Sequence, residues 1–199
     1  VSEADLAFQH DILRGVSRTF ALTIPQLPAA LEMVVGNAYL LCRITDTIED
    51  APGLTFAQRA ELHAALILEL RSGGSGEVLA EELGRALENH TQVDECRLVA
   101  ELPRVLRMTR SFNPAQQAAI LRCLEIMGAG MAEFEGLDLR QGLADLAALD
   151  RYCYVVAGVV GEMLTELFCD YSPAIAARAA ALRARSVSYG QGLQMTNIL

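Results

Sequence analysis

Residues 39–50 carry the sequence Tyr39-Leu-Leu-Cys-Arg-Ile-Thr-Asp46-Thr-Ile-Glu49-Asp50, inside a segment free of glycine and proline. At the helical rotation of about 100° per residue, the aliphatic side chains of this stretch point toward a core. The polar side chains fall on one side, within roughly 60° of Asp46. This acidic face consists of Tyr39, Arg43, Asp46, Glu49 and Asp50. The stretch therefore predicts a mostly buried helix with three carboxylates, a guanidinium and a phenol on a single face.

The rest of the chain shows helical patterning punctuated by proline and glycine, and no stretch predicts a strand. The predicted helices are residues 5–16, 29–51, 55–72, 77–89, 92–111 with a kink at Pro103, 114–135, 149–169, and a last helix opening at Ser172-Pro173. Residues 136–145 are the predicted loop, and residues 152–168, apolar on nearly every side, predict a central helix. With no repeat and no long linker, the sequence predicts one all-α domain over residues 1–199.

Composition and charge exclude several classes of protein. The 199 residues are 52% hydrophobic and 21% charged, which excludes a disordered chain. The formal net charge of −9 disfavours nucleic-acid binding, because an acidic surface repels a phosphodiester backbone. The same charge would repel a diphosphate unless cations offset it.

Cysteine usage and the ends of the sequence bear on location. Five cysteines without a C-x-x-C pair, and three scattered histidines, give no zinc-site spacing and suit a reducing cytosol. The N-terminus lacks the pattern of a secretory signal. The uncharged stretches Met33–Cys42 and Tyr152–Gly161 are shorter than the ~20 residues of a membrane span. A cytoplasmic protein is predicted, with peripheral membrane association of a longer form left open.

The acidic face has two interpretations. It is either a solvated face on which Arg43 pairs with Asp46 or Glu49, or a site at which the carboxylates hold Mg²⁺ together with a substrate phosphate. Two other segments favour the second interpretation. Ser17-Arg18-Thr19-Phe20 supplies hydroxyls and a guanidinium that suit phosphate oxygens, although Arg18 could instead cap a helix. Gln194 and Asn197 share a face of an apolar helix, which a buried hydrogen bond between helices would also explain.

Five ordered blocks of the sequence resemble the squalene/phytoene synthase family, and its squalene synthase branch most of all. The blocks are SRTFALTI at residues 17–24, YLLCRITDTIED at 39–50, MGAGMAEF at 127–134, YCYVVAGVVG at 152–161 and GLQMTNIL at 192–199. The resemblance implies a helical isoprenoid-synthase bundle around a central cavity. It also implies Mg²⁺-dependent head-to-head joining of two farnesyl diphosphates to presqualene diphosphate, followed by reduction to squalene with NADPH.

The resemblance also implies roles for single residues. Asp46, Glu49 and Asp50 match the first acidic motif, which binds Mg²⁺, and Tyr39 and Tyr152 match catalytic tyrosines. Residues implied to bind the diphosphate or the prenyl chain are Ser17, Arg18, Thr19, Phe20, Arg43, Val156, Gly158, Leu164, Gln194 and Asn197. The glycines of these blocks either give room for a prenyl chain or let helices pack closely.

The chain departs from the family at its end, because the second acidic motif would begin after Leu199. A chain truncated there is expected to show little turnover by itself. Three alternatives stay open. Phytoene synthase would use a C20 donor, dehydrosqualene synthase would omit the reduction, and a non-catalytic helical scaffold would use its acidic faces only for solubility. The sequence also leaves the oligomeric state open.

Overall fold

The computed structural model describes residues 1–17, 19–87, 92–135 and 142–198, without the side chains of residues 135 and 196–198. Within these ranges the chain is helical and contains no strand. The first helices are α1 (Glu3–Val16), α2 (Phe20–Thr23), a 3₁₀ turn (Ile24–Gln26), α3 (Ala29–Glu49), α4 (Phe56–Ser72), α5 (Glu77–Ala86), α6 (Val93–Ala100) and α7 (Leu102–Thr109). They are followed by α8 (Pro114–Glu135), α9 (Leu146–Cys153), a π-helical turn (Tyr154–Gly158), α10 (Val159–Tyr171), α11 (Pro173–Ala176) and α12 (Ala179–Ile198). The prediction of an all-α fold is confirmed.

Local signals placed several helix ends correctly. Thr55 and Gln58 form a capping box at the start of α4, with Thr55 N donating to Gln58 Oε1 at 2.9 Å. Gly73 ends α4 in the left-handed conformation, at φ 69°. The predicted kink at Pro103 is instead a break, since Glu101 leaves helical geometry at φ −95° and ψ 15°. Pro103 then occupies the first turn of α7, where its missing N–H has no helical partner to lose.

The chain divides into two compact units, Val1–Leu121 and Arg122–Leu199. The single domain over residues 1–199 stays a prediction. In the first unit, α3 packs against α1, α4, α6 and α7. The aliphatic side of α3 is fully buried at Leu40, Leu41, Ile44 and Ile48, as its spacing predicted. This packing fixes the rotation of α3 and therefore the direction of its acidic face.

In the second unit, α12 packs along α9, the π-helical turn and α10. The predicted central helix is the continuous run through the π-helical turn, and no residue from 152 to 169 is exposed. Close packing depends on Gly161 and Gly190. A Cβ on Gly161 would strike the carbonyl oxygen of Ser186, and a Cβ on Gly190 would strike that of Ala157.

The run Leu146–Tyr171 also meets the length and composition criterion for a membrane span, with 26 residues and a mean hydropathy of 1.4 in its most apolar window. The sequence argument considered only uncharged stretches and so found nothing this long. Only 39% of that window is buried inside the protein. Core helices of soluble proteins meet the same criterion, so length and composition alone assign the run to neither environment.

Candidate functional site

Tyr39 and Arg43 form the hydrogen-bonded centre of the acidic face on α3. The Tyr39 hydroxyl donates to the carbonyl oxygen of Val16 at 3.0 Å, and it accepts from Nη2 of Arg43 at 3.4 Å. The ring of Phe20 lies 5.3 Å from that of Tyr39. The structure therefore brings the end of α1, the start of α2 and the middle of α3 together around one phenol.

The carboxylates of this face are repelled by one another and partly removed from water. Asp46 and Glu49 are half-buried, and Asp50 is exposed. Burial raises the pKa of Asp46 to about 7, against the attraction of Arg43 and with help from Asp50, Glu49 and Glu95. Burial also raises the pKa of Glu49, where Arg59 opposes the shift and Asp50 adds to it. Among the described residues, the carboxylates that act on Asp46 and Glu49 therefore outnumber the guanidinium groups, Arg43 and Arg59, that oppose them.

Sequence reasoning missed two charged residues at this site, Glu95 of α6 and Arg59 of α4. Nη1 of Arg43 lies 3.7 Å from Oε1 of Glu95. Arg59 donates from Nη2 to the carbonyl oxygen of Ala51 at 2.9 Å, beyond the end of α3. Neither residue shares a helix with the acidic face, so no periodicity along the chain could have revealed them. Both residues reach the acidic face only because α3 packs against α4 and α6.

The interpretation of a simple solvated face predicted an ion pair from Arg43 to Asp46 or Glu49. Among the residues described, Arg43 instead contacts Tyr39 and Glu95, while its Nε is buried without a hydrogen-bond partner. The pKa of Arg43 is raised although burial opposes its charge, because Tyr39, Asp46 and Glu95 all favour the charged form. An oriented, partly unsatisfied guanidinium suits an anionic ligand better than it suits a solvated surface.

The three predicted Mg²⁺ ligands lie along the face rather than around a point. Within the described part of the chain, no three His, Cys, Asp or Glu side chains lie together closely enough to hold a metal ion. Mg²⁺ commonly keeps several waters and takes only one or two carboxylates plus phosphate oxygens. The excess of carboxylates over guanidinium groups is therefore compatible with such an ion.

Phe20 lies beside this face, because its ring contacts that of Tyr39. Ser17 is buried, and its Oγ accepts from the backbone N of Phe20 at 3.0 Å, so that it caps the start of α2. Thr19 is exposed, and the Phe20 side chain is 46% exposed despite its contact with Tyr39. Arg18 lies outside the described residues.

The remaining predicted residues belong to the second unit. The half-buried ring of Tyr152 packs edge-to-face on Phe134, with centroids 5.4 Å apart. Val156, Leu164 and Gln194 are half-buried, and the side chain of Asn197 lies outside the described ones. A Cβ on Gly158 would lie 2.9 Å from the Tyr154 ring, which favours the packing interpretation of this glycine. Its role in binding a prenyl chain stays a prediction.

A second feature that the sequence did not reveal is the pair of Tyr154 and Glu162, which brackets the π-helical turn. The Tyr154 hydroxyl donates to Oε2 of Glu162 at 3.1 Å. Burial, followed by the charge of Glu162 and this hydrogen bond, raises the pKa of Tyr154. π-Helical turns occur frequently at functional sites and change the direction of neighbouring side chains. This turn begins two residues after Tyr152.

The raised pKa of Asp46 gives a pH dependence that can be measured. The pKa of about 7 in the folded chain lies above the ordinary value of 3.8 for an aspartate, so the folded state binds this proton more tightly. The resulting stabilisation is full below the unfolded value and is lost as the pH rises through about 7. We expect the free energy of unfolding of the ligand-free chain to fall by up to about 4 kcal/mol from acid to alkaline pH across this window. Urea titrations at several pH values give the free energy of unfolding of the chain and of Asp46→Asn. The prediction would be contradicted if this free energy changed equally with pH in both proteins.

Comparison with known proteins connects this geometry to a family. The family model of squalene/phytoene synthases matches residues 13–199. The chain belongs to the squalene/phytoene synthase family. The match includes both the acidic face and the run from α9 to α12.

Individual relatives agree with this assignment. The chain is 32% identical to squalene synthase BSS of Botryococcus braunii, over 99% of this chain and 40% of the relative. It is 30% identical to squalene synthase 8 of Panax ginseng, over 100% of this chain and 46% of the relative. It superposes on TcSQS, solved in complex with the ligand BPH1237, with a TM-score of 0.78 at 27% identity, over 98% of this chain and 53% of that one. The predicted isoprenoid-synthase fold is confirmed, and the chain spans about half the length, or less, of these relatives.

Proposed function

We propose that this member of the squalene/phytoene synthase family contributes the first acidic half of a Mg²⁺-dependent site that joins two farnesyl diphosphates head to head. The observation that carries the proposal is the acidic face on α3, where the half-buried carboxylates of Asp46 and Glu49 lie on the same face as the oriented guanidinium of Arg43. Its similarity to proteins named squalene synthase supports the donor and the product, presqualene diphosphate. Reduction to squalene with NADPH is proposed for the full-length enzyme.

The charged residues of the face would handle the diphosphate. Asp46, Glu49 and Asp50 would hold Mg²⁺, which when bound neutralises a departing diphosphate. Arg43, held by Tyr39, adds fixed positive charge toward the same oxygens. Ser17, Arg18 and Thr19 are proposed to bind the remaining phosphate oxygens, and Gln194 and Asn197 to lead into the second acidic motif.

The apolar and phenolic residues would protect and complete the reaction. An allylic cation must be kept from water, and Phe20, Val156, Gly158 and Leu164 are proposed to contact the prenyl chains. Head-to-head coupling also releases a proton. Tyr39 and Tyr152 are proposed to accept or relay it, with the departing diphosphate as a competent alternative base.

Ligand-induced stabilisation tests the proposal on the 199-residue chain. A non-ionisable thio analogue of farnesyl diphosphate, added with Mg²⁺ at about 100 times its dissociation constant, should stabilise the chain by roughly 2.7 kcal/mol. Thermal melts with and without EDTA measure this effect, and turnover by this chain alone is expected to be low. A melt that the analogue and Mg²⁺ leave unchanged would favour the non-catalytic scaffold.

Product analysis with longer proteins of the family separates the remaining alternatives. A C40 product formed from two molecules of geranylgeranyl diphosphate, the C20 donor, would indicate phytoene synthase. Dehydrosqualene formed irrespective of NADPH would indicate the synthase without reduction. Peripheral membrane association, which would help an apolar product to leave, can be measured by flotation with lipid vesicles.

A further inference from the structure

The groups around the guanidinium of Arg43 fix its position but leave part of its hydrogen-bond donor capacity unused. Nη2 donates to the Tyr39 hydroxyl at a long 3.4 Å, and Nε is buried with no hydrogen-bond partner in the part of the chain that the structure describes. Nη1 faces Oε1 of Glu95 at 3.7 Å, with the two side chains 29% and 14% exposed. That separation exceeds the 2.7–3.2 Å of a good N–H···O hydrogen bond. Glu95 therefore attracts the guanidinium while leaving its donor capacity unfilled.

We propose that Glu95 is an internal counter-ion of Arg43, which positions the guanidinium in the ligand-free protein and competes with a diphosphate for it. Glu95 belongs neither to the acidic motif of α3 nor to the predicted set of ligand-binding residues. The proposal rests on the proposed function for the identity of the anion. Glu95 is thus a positioning residue that sets the affinity of the site for its anionic group.

The strengths of the two interactions decide which partner prevails. Phosphate oxygens form short, charge-assisted and often bidentate hydrogen bonds with arginine, which the 3.7 Å contact does not provide. A bound diphosphate should therefore displace Glu95 from Arg43. The displaced carboxylate stays near Asp46, whose pKa it already raises, so its charge continues to oppose the incoming anion. Removing the charge of Glu95 should consequently tighten binding.

Glu101 provides a charge-matched control at the end of α6. Like Glu95, Glu101 pairs with an arginine, but its partner is Arg104, whose Nε lies 2.9 Å from Oε2 of Glu101. Glu101 does not contact Arg43. Glu101→Gln removes the same charge from the same region. Any general electrostatic effect on anion binding should therefore appear in both variants.

Calorimetric titration with inorganic pyrophosphate in the presence of Mg²⁺ tests the proposal. We expect Glu95→Gln to bind about fivefold more tightly than the unsubstituted chain, and Glu101→Gln to stay within about twofold of it. In an Arg43→Gln background, Glu95→Gln should have no further effect, because the competition acts through that guanidinium. Glu95→Asp keeps the charge but shortens the side chain, which moves the carboxylate away from Arg43. This variant should give an intermediate gain in affinity, and it replaces Glu95→Gln in the test if that variant does not fold.

Each outcome separates this inference from the proposed function. If the unsubstituted chain binds pyrophosphate but Glu95→Gln binds no tighter than Glu101→Gln, the counter-ion role is wrong and the proposed function stands. A gain that persists in the Arg43→Gln background would also overturn the role. If no variant binds pyrophosphate with Mg²⁺, the proposed function fails and this inference fails with it.

Discussion

Asp46→Asn should make the ligand-free chain more stable while removing its Mg²⁺-dependent response to a diphosphate. The Asp46 carboxylate is half-buried, and Glu49, Asp50 and Glu95 surround it with like charge. The amide keeps the shape without the charge, so above neutral pH we expect a gain of about 1–2 kcal/mol in the free energy of unfolding. The attraction of Arg43 limits the gain, because that guanidinium loses a partner.

The same substitution should weaken Mg²⁺-dependent binding of pyrophosphate by roughly tenfold or more, since an amide oxygen is a poorer ligand than a carboxylate for a hard cation. Asp11→Asn is the control, because Asp11 is 55% exposed and pairs with Arg97 at 2.7 Å on the surface. That variant should change stability by less than about 1 kcal/mol and leave ligand binding intact. A destabilised Asp46→Asn that still binds would show that Asp46 serves the fold.

The opposite signs of the two effects have a physical origin. A group selected only for folding would not be kept charged, half-buried and beside three other carboxylates. Residues that lower the stability of the ligand-free protein in this way are typical of sites at which a bound ligand supplies the opposite charge. The ligand-free stability of Asp46→Asn therefore bears on function as directly as the binding measurement does.

The sequence predicted the features that depend on neighbours along the chain. The aliphatic side of α3, at Leu40, Leu41 and Ile44, is buried as its 3.6-residue period required. The helix predicted over residues 55–72 is α4, which Thr55 and Gln58 cap at its start. These features were accessible because a helix face and a cap are each fixed by a few consecutive residues.

The features that were missed depend on contacts between helices or on irregular backbone. Glu95 meets Arg43 only because α6 packs on α3. The π-helical turn at Tyr154–Gly158 has no marker in an apolar stretch, yet it changes the rotation of everything that follows it. The close contacts of the glycines also come from tertiary packing, which places the side chain of Val155 against Gly130 and the backbone of Ser186 against Gly161.

Gly190→Ala should be among the most destabilising single-methyl changes in the second unit. A Cβ at this position would strike the carbonyl oxygen of Ala157, and would lie 2.8 Å from its carbon and 2.9 Å from Cα of Gly158. These are backbone atoms of the π-helical turn, which no side-chain rotation can relieve. The two helical segments would have to separate, at an expected cost of about 2–4 kcal/mol.

Gly192→Ala on the same helix is the matched control. A Cβ there would meet nothing within 4 Å, so the substitution should stabilise α12 by about 0.5–1 kcal/mol through helix propensity. Differential scanning calorimetry of both variants measures the contrast, which should reach several degrees in opposite directions. Equal melting temperatures would mean that α12 and the π-helical turn are farther apart in solution. In that case the close approach of backbones would not be what holds the segment after Tyr152 in place.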